Sequence, residues 1–239
     1  MLKIAHIIPM MNYGGVEVAI QKSYKDLNKN FEYKVFTIKK TGFPYINQKS
    51  FVFLIYDIFI SKWTPDLIIT SLWWSHPLGL FFSLFGYRWY AFFHSSKSTH
   101  IFDYISTYIS SKLSDRCLTD SSETEKYIKK ISKNEIDVIP FVFKNKKSIV
   151  PIDKRKYDFI FVGRLIKEKR IDLLLNLAKK ISNELSGLKF VFIFSGKKKS
   201  IKILKNNQAK FTIIYNIKNE KVIDYLRNSK FYIHLADRE

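Results

Sequence analysis

The residues best suited to chemistry follow predicted strands. Gly14 and Gly15 come after the first strand, where the lack of a side chain lets the backbone approach a ligand, and the next helix can offer its first amides to an anion. Gly163 follows a later strand, and Arg164 and Lys169 flank the loop behind it. These cations could close on a pyrophosphate, the arginine as a planar fork and the lysine as a point charge. Both patterns predict phosphate binding, with an ordinary turn and a solvated basic turn as the respective alternatives.

Two further positions could take part in chemistry. His94 ends a predicted strand and could face a ligand, or it could be a strand-end histidine satisfied by backbone groups. The last predicted strand runs into charged residues that end at Glu239, and a carboxylate there could accept hydrogen bonds from sugar hydroxyls or be solvated. No Asp/Asp or His/Glu cluster has metal-ligand spacing, so we expect no metal.

Alternating strands and helices must position the residues of the N-terminal part. Apolar runs rich in β-branched or aromatic residues predict strands, and longer periodic stretches between them predict helices. The predicted strands are residues 3–9, 32–38, 66–71, 89–94, 116–119 and 137–139, and the predicted helices are 15–27, 51–62, 77–85, 101–113 and 122–131. Apolar strands separated by helices indicate a parallel sheet covered on both faces.

The pattern lapses after Pro140 and then restarts. A basic stretch with a proline, residues 144–156, is predicted to be a solvated linker. Beyond it we predict strands 158–162, 188–195, 211–215 and 231–235 and helices 169–185, 199–206 and 220–228. The sequence thus predicts an α/β domain over 1–143, the linker 144–156 and an incomplete α/β domain over 157–239. In open α/β sheets the ligand crevice lies at the carboxyl ends of the strands.

The composition limits the partners and the compartment. Lys and Arg (41) exceed Asp and Glu (21) by 20, a charge that suits nucleic acid or an anionic membrane. Lys outnumbers Arg 34 to 7, which fits a bias toward AU-rich codons and argues against specific reading of nucleic-acid bases. Cys117 is the single cysteine, so a disulfide framework and a multi-thiolate zinc site are excluded. A reducing, cytoplasmic location is therefore expected.

One apolar run, residues 72–93, is long enough on paper to span a membrane. Pro77, Gly86 and Arg88 interrupt it, so it is better interpreted as a strand end, a short helix and a new strand. The alternative is that its aromatic surface touches a membrane without crossing it. A peripheral position at the inner membrane face therefore stays open.

The order and spacing of several motifs resemble the group 1 (family 4) retaining glycosyltransferases of the GT-B fold. The motifs are Gly14-Gly15-Val16-Glu17, His94 in AFFHSS, Asp120-Ser121-Ser122, Val138-Ile139-Pro140 and FVGRLIKEKRIDLLLNLAKK from Phe161. The resemblance implies two tandem Rossmann-like domains. It also implies that the C-terminal domain binds a nucleotide-sugar donor and the N-terminal domain an acceptor.

The same resemblance implies roles for individual residues. Arg164 and Lys169 would hold the donor diphosphate, Gly14 and Gly15 would close on it from the other domain, and His94 would lie beside the donor sugar and the reacting centre. The chain departs from the family pattern in having Arg170 where the family has a glycine, and Pro140-Phe141-Val142 in place of Pro-Asn-Gly. Glu239 aligns with the first of two donor-site glutamates, and the sequence ends on it.

These observations predict a glycosyltransferase, or a truncated form of one that is inactive alone. It would move a sugar from a nucleotide sugar to a sugar or lipid-linked acceptor in cell-surface polysaccharide or glycolipid synthesis, with no metal or other cofactor. Specific nucleic-acid binding is not expected. The alternatives are a noncatalytic remnant that binds acceptor or nucleotide sugar, and a basic protein that binds membranes or nucleic acid through charge.

Overall fold

The structure is a computed structural model that describes residues 1–11, 14–39, 49–141, 149–195 and 211–236. The chain divides into two compact units, Met1–Phe143 and Lys144–Glu239. Both units are built on parallel strands connected by helices. No helix within the described residues is long and apolar enough to cross a membrane.

The first unit is a parallel sheet with helices on both faces. Its elements are β1 (Lys3–Ile8), α1 (Gly15–Asn30), β2 (Glu32–Thr37), β3 (Lys49–Ser50), α2 (Phe51–Phe59), β4 (Leu67–Ser71), α3 (His76–Ser83), β5 (Trp89–Phe93), α4 (Ile101–Leu113), β6 (Arg116–Thr119), α5 (Ser122–Lys129) and β7 (Ile136–Val138). Seven strands among the described residues pair in the order β3-β2-β1-β4-β5-β6-β7. Successive strands are added to one side of β1 up to β3 and to its other side from β4 onward. In such sheets the ligand crevice lies at the carboxyl ends of the two strands where the order changes, here β1 and β4.

The alternation of side chains along β1 explains how the helices are distributed. Ile4 and Ile8 point to one face and pack with Ile20 of α1. Ala5 and Ile7 point to the opposite face, where they join a cluster that includes Leu54 of α2 and residues of α3. A strand buried on both faces needs a continuous apolar run, and β1 has one apart from Lys3 at its start and His6.

The second unit is a smaller parallel sheet. Its elements are β8 (Tyr157–Arg164), α6 (Ile171–Glu184), β9 (Phe190–Ser195), β10 (Thr212–Tyr215), α7 (Asn219–Arg227) and β11 (Ser229–Tyr232). The four strands found in the described part pair in the order β10-β9-β8-β11. Its main core stacks phenylalanines of β8 and β9 against Leu174, Leu175 and Ala178 of α6.

Most predicted elements are present, and the differences have local causes. β3 was missed because two residues carry no periodic signal. The prediction that Gly163 and Arg164 form a loop is wrong, because both lie in β8 and pair with Phe194 and Ser195 of β9. The last strand lies at Ser229–Tyr232 rather than 231–235. The helix predicted over 199–206 and the residue Glu239 lie outside the described residues.

Part of the segment predicted to be a solvated linker is folded against the second unit. Residues Ile152–Lys154 form one turn of 3-10 helix. The Arg155 guanidinium donates to the carbonyl of Val150 over 2.9 Å and to that of Ser229 over 3.0 Å. These hydrogen bonds tie the segment to the start of β11.

Candidate functional site

A chain of hydrogen bonds links five polar side chains of the first unit. His6 Nδ1 lies 2.5 Å from Tyr33 Oη, and His6 Nε2 lies 2.7 Å from Ser71 Oγ. Ser71 Oγ is also 3.1 Å from His94 Nε2, and His94 Nδ1 is 3.2 Å from Asp120 Oδ2. The chain runs from inside β1 and β2 to the carboxyl ends of β4, β5 and β6, so it reaches the edge where the crevice is expected.

The charge on Asp120 orders the protons along this chain. Burial raises the pKa of its carboxyl, but hydrogen bonds from His94, Thr124 and Ser121 and the charge of His94 outweigh burial and leave that pKa below its ordinary value. The carboxylate can only accept, so His94 Nδ1 donates to it. When His94 is neutral, its other ring nitrogen accepts from the Ser71 hydroxyl, and the proton order given next is that of this neutral form.

The remaining hydrogen bonds of this series follow because each hydrogen bond contains one proton. Ser71 Oγ accepts from His6 Nε2, and His6 Nδ1 accepts from the Tyr33 hydroxyl. Burial, followed by the charge of His94, lowers the pKa of His6 to about 3. Burial also raises the pKa of Tyr33 above its ordinary value. His6 therefore stays neutral at ordinary pH and connects Tyr33 to Ser71.

His94 is held from both sides by this arrangement. Its side chain is 2% exposed, and both ring nitrogens have partners. The ring also stacks on Phe141 and lies against Phe92. Its geometry suits a fixed wall of a site better than a group that exchanges protons with solvent.

A second buried histidine lies beside the first group. Trp89 Nε1 donates to Thr70 Oγ1 over 2.8 Å, and Thr70 Oγ1 is 2.9 Å from His76 Nδ1. Burial, followed by the charge of His94, lowers the pKa of His76 to about 3. A Cβ at Gly79 would lie 2.0 Å from Trp89 Nε1, so only glycine lets α3 pack this closely on β5. His6, Ser71 and His76 were not predicted as site residues, because a polar residue inside a strand or helix cannot be distinguished from the core around it by sequence pattern.

The glycine pair is placed at the start of α1. Gly14 is the N-cap and Gly15 the first helical residue, and neither has a positive φ. A Cβ at Gly14 would lie 2.2 Å from Oε2 of Glu17, while the Cβ position of Gly15 is open. The Glu17 carboxylate thus lies against Gly14 in the first turn of α1, where its negative charge interacts favourably with the helix dipole.

The basic segment of the second unit begins at the end of β8. Arg164 is exposed at the last position of that strand, and Lys169 ends the 3-10 turn Lys167–Lys169. A Cβ at Gly163 would lie 2.6 Å from the Phe161 ring, so a bare backbone is required there. Arg170 has φ 45° and ψ 49°, a left-handed conformation that glycine adopts without strain. The departure from the family glycine therefore falls where the backbone most favours glycine.

The structure also brings two aromatic residues to this edge of the second sheet. The Tyr232 hydroxyl donates to the carbonyl of Val162 over 3.2 Å and lies 3.3 Å from His234 Nδ1. The His234 ring stacks on Phe161 and on Tyr232. His234 therefore lies next to β8, the strand that carries Arg164. The two are close because β11 pairs with β8.

Other possible sites are limited. No group of three His, Cys, Asp or Glu side chains within the described residues could hold a metal ion. Cys117 is buried, and burial raises the pKa of its thiol, so it is a poor nucleophile. A cavity of about 530 Å³ in the first unit is lined by Trp73, Trp74, His100 and Phe102.

One protein-family model matches the second unit. Residues 142–239 match the family model described as glycosyl transferases group 1. The matched segment contains Gly163, Arg164 and Lys169, so the resemblance stated from the motifs is confirmed there. A comparison with curated protein sequences found no match.

Several solved structures share the fold. TarM has a TM-score of 0.70 and 11% identity over 100% of this chain and 81% of its own. An α-glucosyltransferase in complex with UDP-glucose and DNA containing an abasic site has a TM-score of 0.64 and 9% identity, over 100% and 73%. UDP-GlcNAc 2-epimerase from Neisseria meningitidis bound to UDP-GlcNAc has a TM-score of 0.63 and 9% identity, over 95% and 76%. The predicted class, tandem Rossmann-like α/β units of the GT-B type, is confirmed.

Proposed function

Because residues 142–239 match the group 1 glycosyltransferases, we propose that this protein transfers a sugar from a nucleotide sugar to an acceptor. The observation that carries the proposal is this match, since it spans the basic segment at the end of β8. The fold alone would also fit an epimerase that acts on a nucleotide sugar. The family match favours transfer over that second candidate.

The donor diphosphate is assigned to Arg164 and Lys169. A nucleoside diphosphate that leaves an anomeric carbon gains negative charge while the sugar becomes positive. Fixed cations at the leaving group therefore stabilise the transition state more than the ground state. These two side chains can supply that charge without a metal, and Arg164 is exposed at a strand end where a ligand can reach it. Glu239, which lies outside the described residues, is assigned to the donor sugar by the resemblance.

The first unit is assigned to the acceptor and to the wall of the reacting centre. His94 lies beside the donor sugar in this proposal, and its buried ring acts by holding position rather than by exchanging a proton. Gly14 and Gly15 close on the donor from the start of α1. We further propose a retaining reaction, which only product stereochemistry can test.

The acceptor is proposed to be a sugar or a lipid-linked sugar used in cell-surface polysaccharide or glycolipid synthesis. A lipid-linked acceptor would place the protein in the cytoplasm at the inner membrane face. The excess of 20 positive charges supports an anionic membrane surface as a partner.

Calorimetric titration with UDP and with GDP tests the donor site. Replacing Arg164 or Lys169 by alanine should weaken binding of the diphosphate by about 1.5–3 kcal/mol, the range for hydrogen bonds to charged groups. Lys180→Ala is the matched control, because it removes an exposed lysine from α6 and one charge. Equal affinity in wild type, both site variants and the control would contradict the assignment.

A further inference from the structure

Helix α4 is inverted: its apolar side chains face outward and its polar side chains face the sheet. Ile101, Ile105, Tyr108 and Ile109 are exposed and recur at the spacing of one helix face. Phe102 beside them is 68% exposed. The buried side chains of the helix are all polar: Asp103, Thr107, Ser110 and Ser111.

Hydrogen bonds stabilise the inward polar face. The Asp103 carboxylate accepts from the amide and the hydroxyl of Thr99 over 2.7 and 3.0 Å, and from Thr107 Oγ1 over 3.3 Å. The carbonyl of Ser111 accepts from the hydroxyl of Ser132. The Asp103 bonds lie within the start of the helix, but the Ser106 hydroxyl donates to the carbonyl of Trp73 over 2.8 Å, and the Ser111 carbonyl is bonded to Ser132. Turning the apolar side of the helix inward would break these two bonds to other elements.

The exposed apolar surface continues onto neighbouring elements. Helix α3, which packs beside α4, exposes large apolar side chains, as do α2 and the turn after β4. We call this surface the outer apolar face; it comprises Val52, Phe53, Tyr56, Phe59, Ile60, Trp74, Phe81, Leu84, Phe85, Ile101, Phe102, Tyr104, Ile105, Tyr108, Ile109 and Leu113. Helix α1 on the opposite side of the sheet exposes glycine and polar residues instead, such as Lys22, Lys25 and Asp26. Contiguous apolar surface of this extent marks an interaction site.

The charges around the outer apolar face favour one kind of partner. Asp57 and Asp103 are the carboxylates of α2, α3 and α4, and both are buried, so these described helices expose no carboxylate. Lys112 is exposed at the end of the apolar stripe and donates to the Tyr108 hydroxyl over 2.7 Å. Lys62 and Arg88 are exposed near the ends of α2 and α3. Two exposed carboxylates, Asp66 and Asp115, also lie just beyond α2 and α4, but the three exposed cations outnumber them. Exposed aromatic and aliphatic side chains with an excess of cations around them suit anionic lipid, whereas two copies would bring their excess cations together.

We infer that the outer apolar face docks on the surface of an anionic lipid bilayer, with Trp74 and Phe102 entering the interface and Lys112 among the headgroups. This inference deepens the membrane part of the proposed function by naming the surface. Vesicle binding requires no sugar transfer, so a failure of docking and a failure of the transfer reaction are measured separately.

Co-sedimentation of the whole protein with phosphatidylcholine vesicles, with and without phosphatidylglycerol, tests the inference. Binding should be stronger to the anionic vesicles and should weaken with salt. The double variant Phe102→Ser, Ile105→Ser should bind at least tenfold more weakly. Leu173→Ser is the matched control, because Leu173 on α6 is 42% exposed, close to the 44% of Ile105. Brominated lipids should quench the fluorescence of Trp74, and this quenching should be lost in the variant Trp74→Phe.

Three results would overturn the inference. The first is equal binding by the double variant and the control. The second is equal binding to neutral and anionic vesicles. The third is self-association of the wild-type protein without lipid that the double variant abolishes, which light scattering would detect and which would assign the outer apolar face to a second copy.

Discussion

Replacing Ser71 by alanine removes the atom that joins the two halves of the buried hydrogen-bonded chain. The Ser71 hydroxyl accepts from His6 and donates to His94, over 2.7 and 3.1 Å. The residue is fully buried, so water cannot take the place of the hydroxyl without entering the core. The substitution leaves one buried donor, the Nε2 proton of His6, and one buried acceptor, Nε2 of His94.

The expected cost follows from those two atoms. A buried polar group left without a partner costs about 1–3 kcal/mol, so the two groups left by Ser71→Ala should lower the free energy of unfolding by about 2–6 kcal/mol. A typical domain has a total of about 5–15 kcal/mol, so the loss would be a large part of the stability of the first unit. The cavity left by one oxygen adds little.

Urea unfolding followed by tryptophan fluorescence measures this effect in the correct unit. The four tryptophans of the chain are at positions 63, 73, 74 and 89, all in the first unit. Nitrogen NMR of the histidines adds a specific readout: in the wild type with His94 neutral, His94 should carry its proton on Nδ1 and His6 on Nε2. In Ser71→Ala, His6 should show a mixture of tautomers.

Ser23→Ala provides the control, because the Ser23 hydroxyl donates to the carbonyl of Ala19 one turn earlier in the same helix, over 3.0 Å. Bonds of this kind add little to helix stability, so the control should change the free energy of unfolding by less than about 1 kcal/mol. Equal midpoints for the two variants, or an unchanged His6 tautomer in Ser71→Ala, would refute the proton order assigned to the chain.

Three other predictions follow from the backbone and the buried histidines. Burial lowers the pKa of His6 and His76 to about 3 from an ordinary 6.5, so the unfolded chain binds more protons and stability that is full above pH 6.5 falls as the pH drops toward 3, by up to about 2.7 kcal/mol per pH unit. A urea series between pH 7 and 5 with no such fall would contradict this. Arg170→Gly should stabilise the second unit by about 1 kcal/mol by relieving the left-handed backbone, whereas Arg170→Ala should not, as hydrogen exchange of α6 amides would report. Gly163→Ala should destabilise β8 by about 1–3 kcal/mol, because the new methyl group would overlap the Phe161 ring. Hydrogen exchange measures this, and β8 amides that exchange as slowly in the variant as in the wild type would contradict it.

The chemistry of individual loops was only partly open to prediction. Arg164 and Lys169 could be singled out because a glycine followed by cations is a local pattern. That Gly163 and Arg164 lie in β8 depends on their pairing with β9, about thirty residues away in sequence. Arginine itself gives no signal for the left-handed conformation of residue 170, and only the glycine that the resembled family has at this position pointed to it.

The sequence by itself determined the parallel α/β architecture, because apolar strand runs, helix periodicity and stop residues are local properties. Gly86, for example, was predicted to end a helix and has φ 83°. Tertiary structure alone decided which polar groups meet: His6 lies inside an apolar strand, and its partners Tyr33 and Ser71 come from two neighbouring strands. It also decided the direction of α4. Periodicity predicts an amphipathic helix, but the side that is buried depends on the partners that other elements offer. Here the bonds of Ser106 to Trp73 and of Ser132 to Ser111 hold the polar side inward.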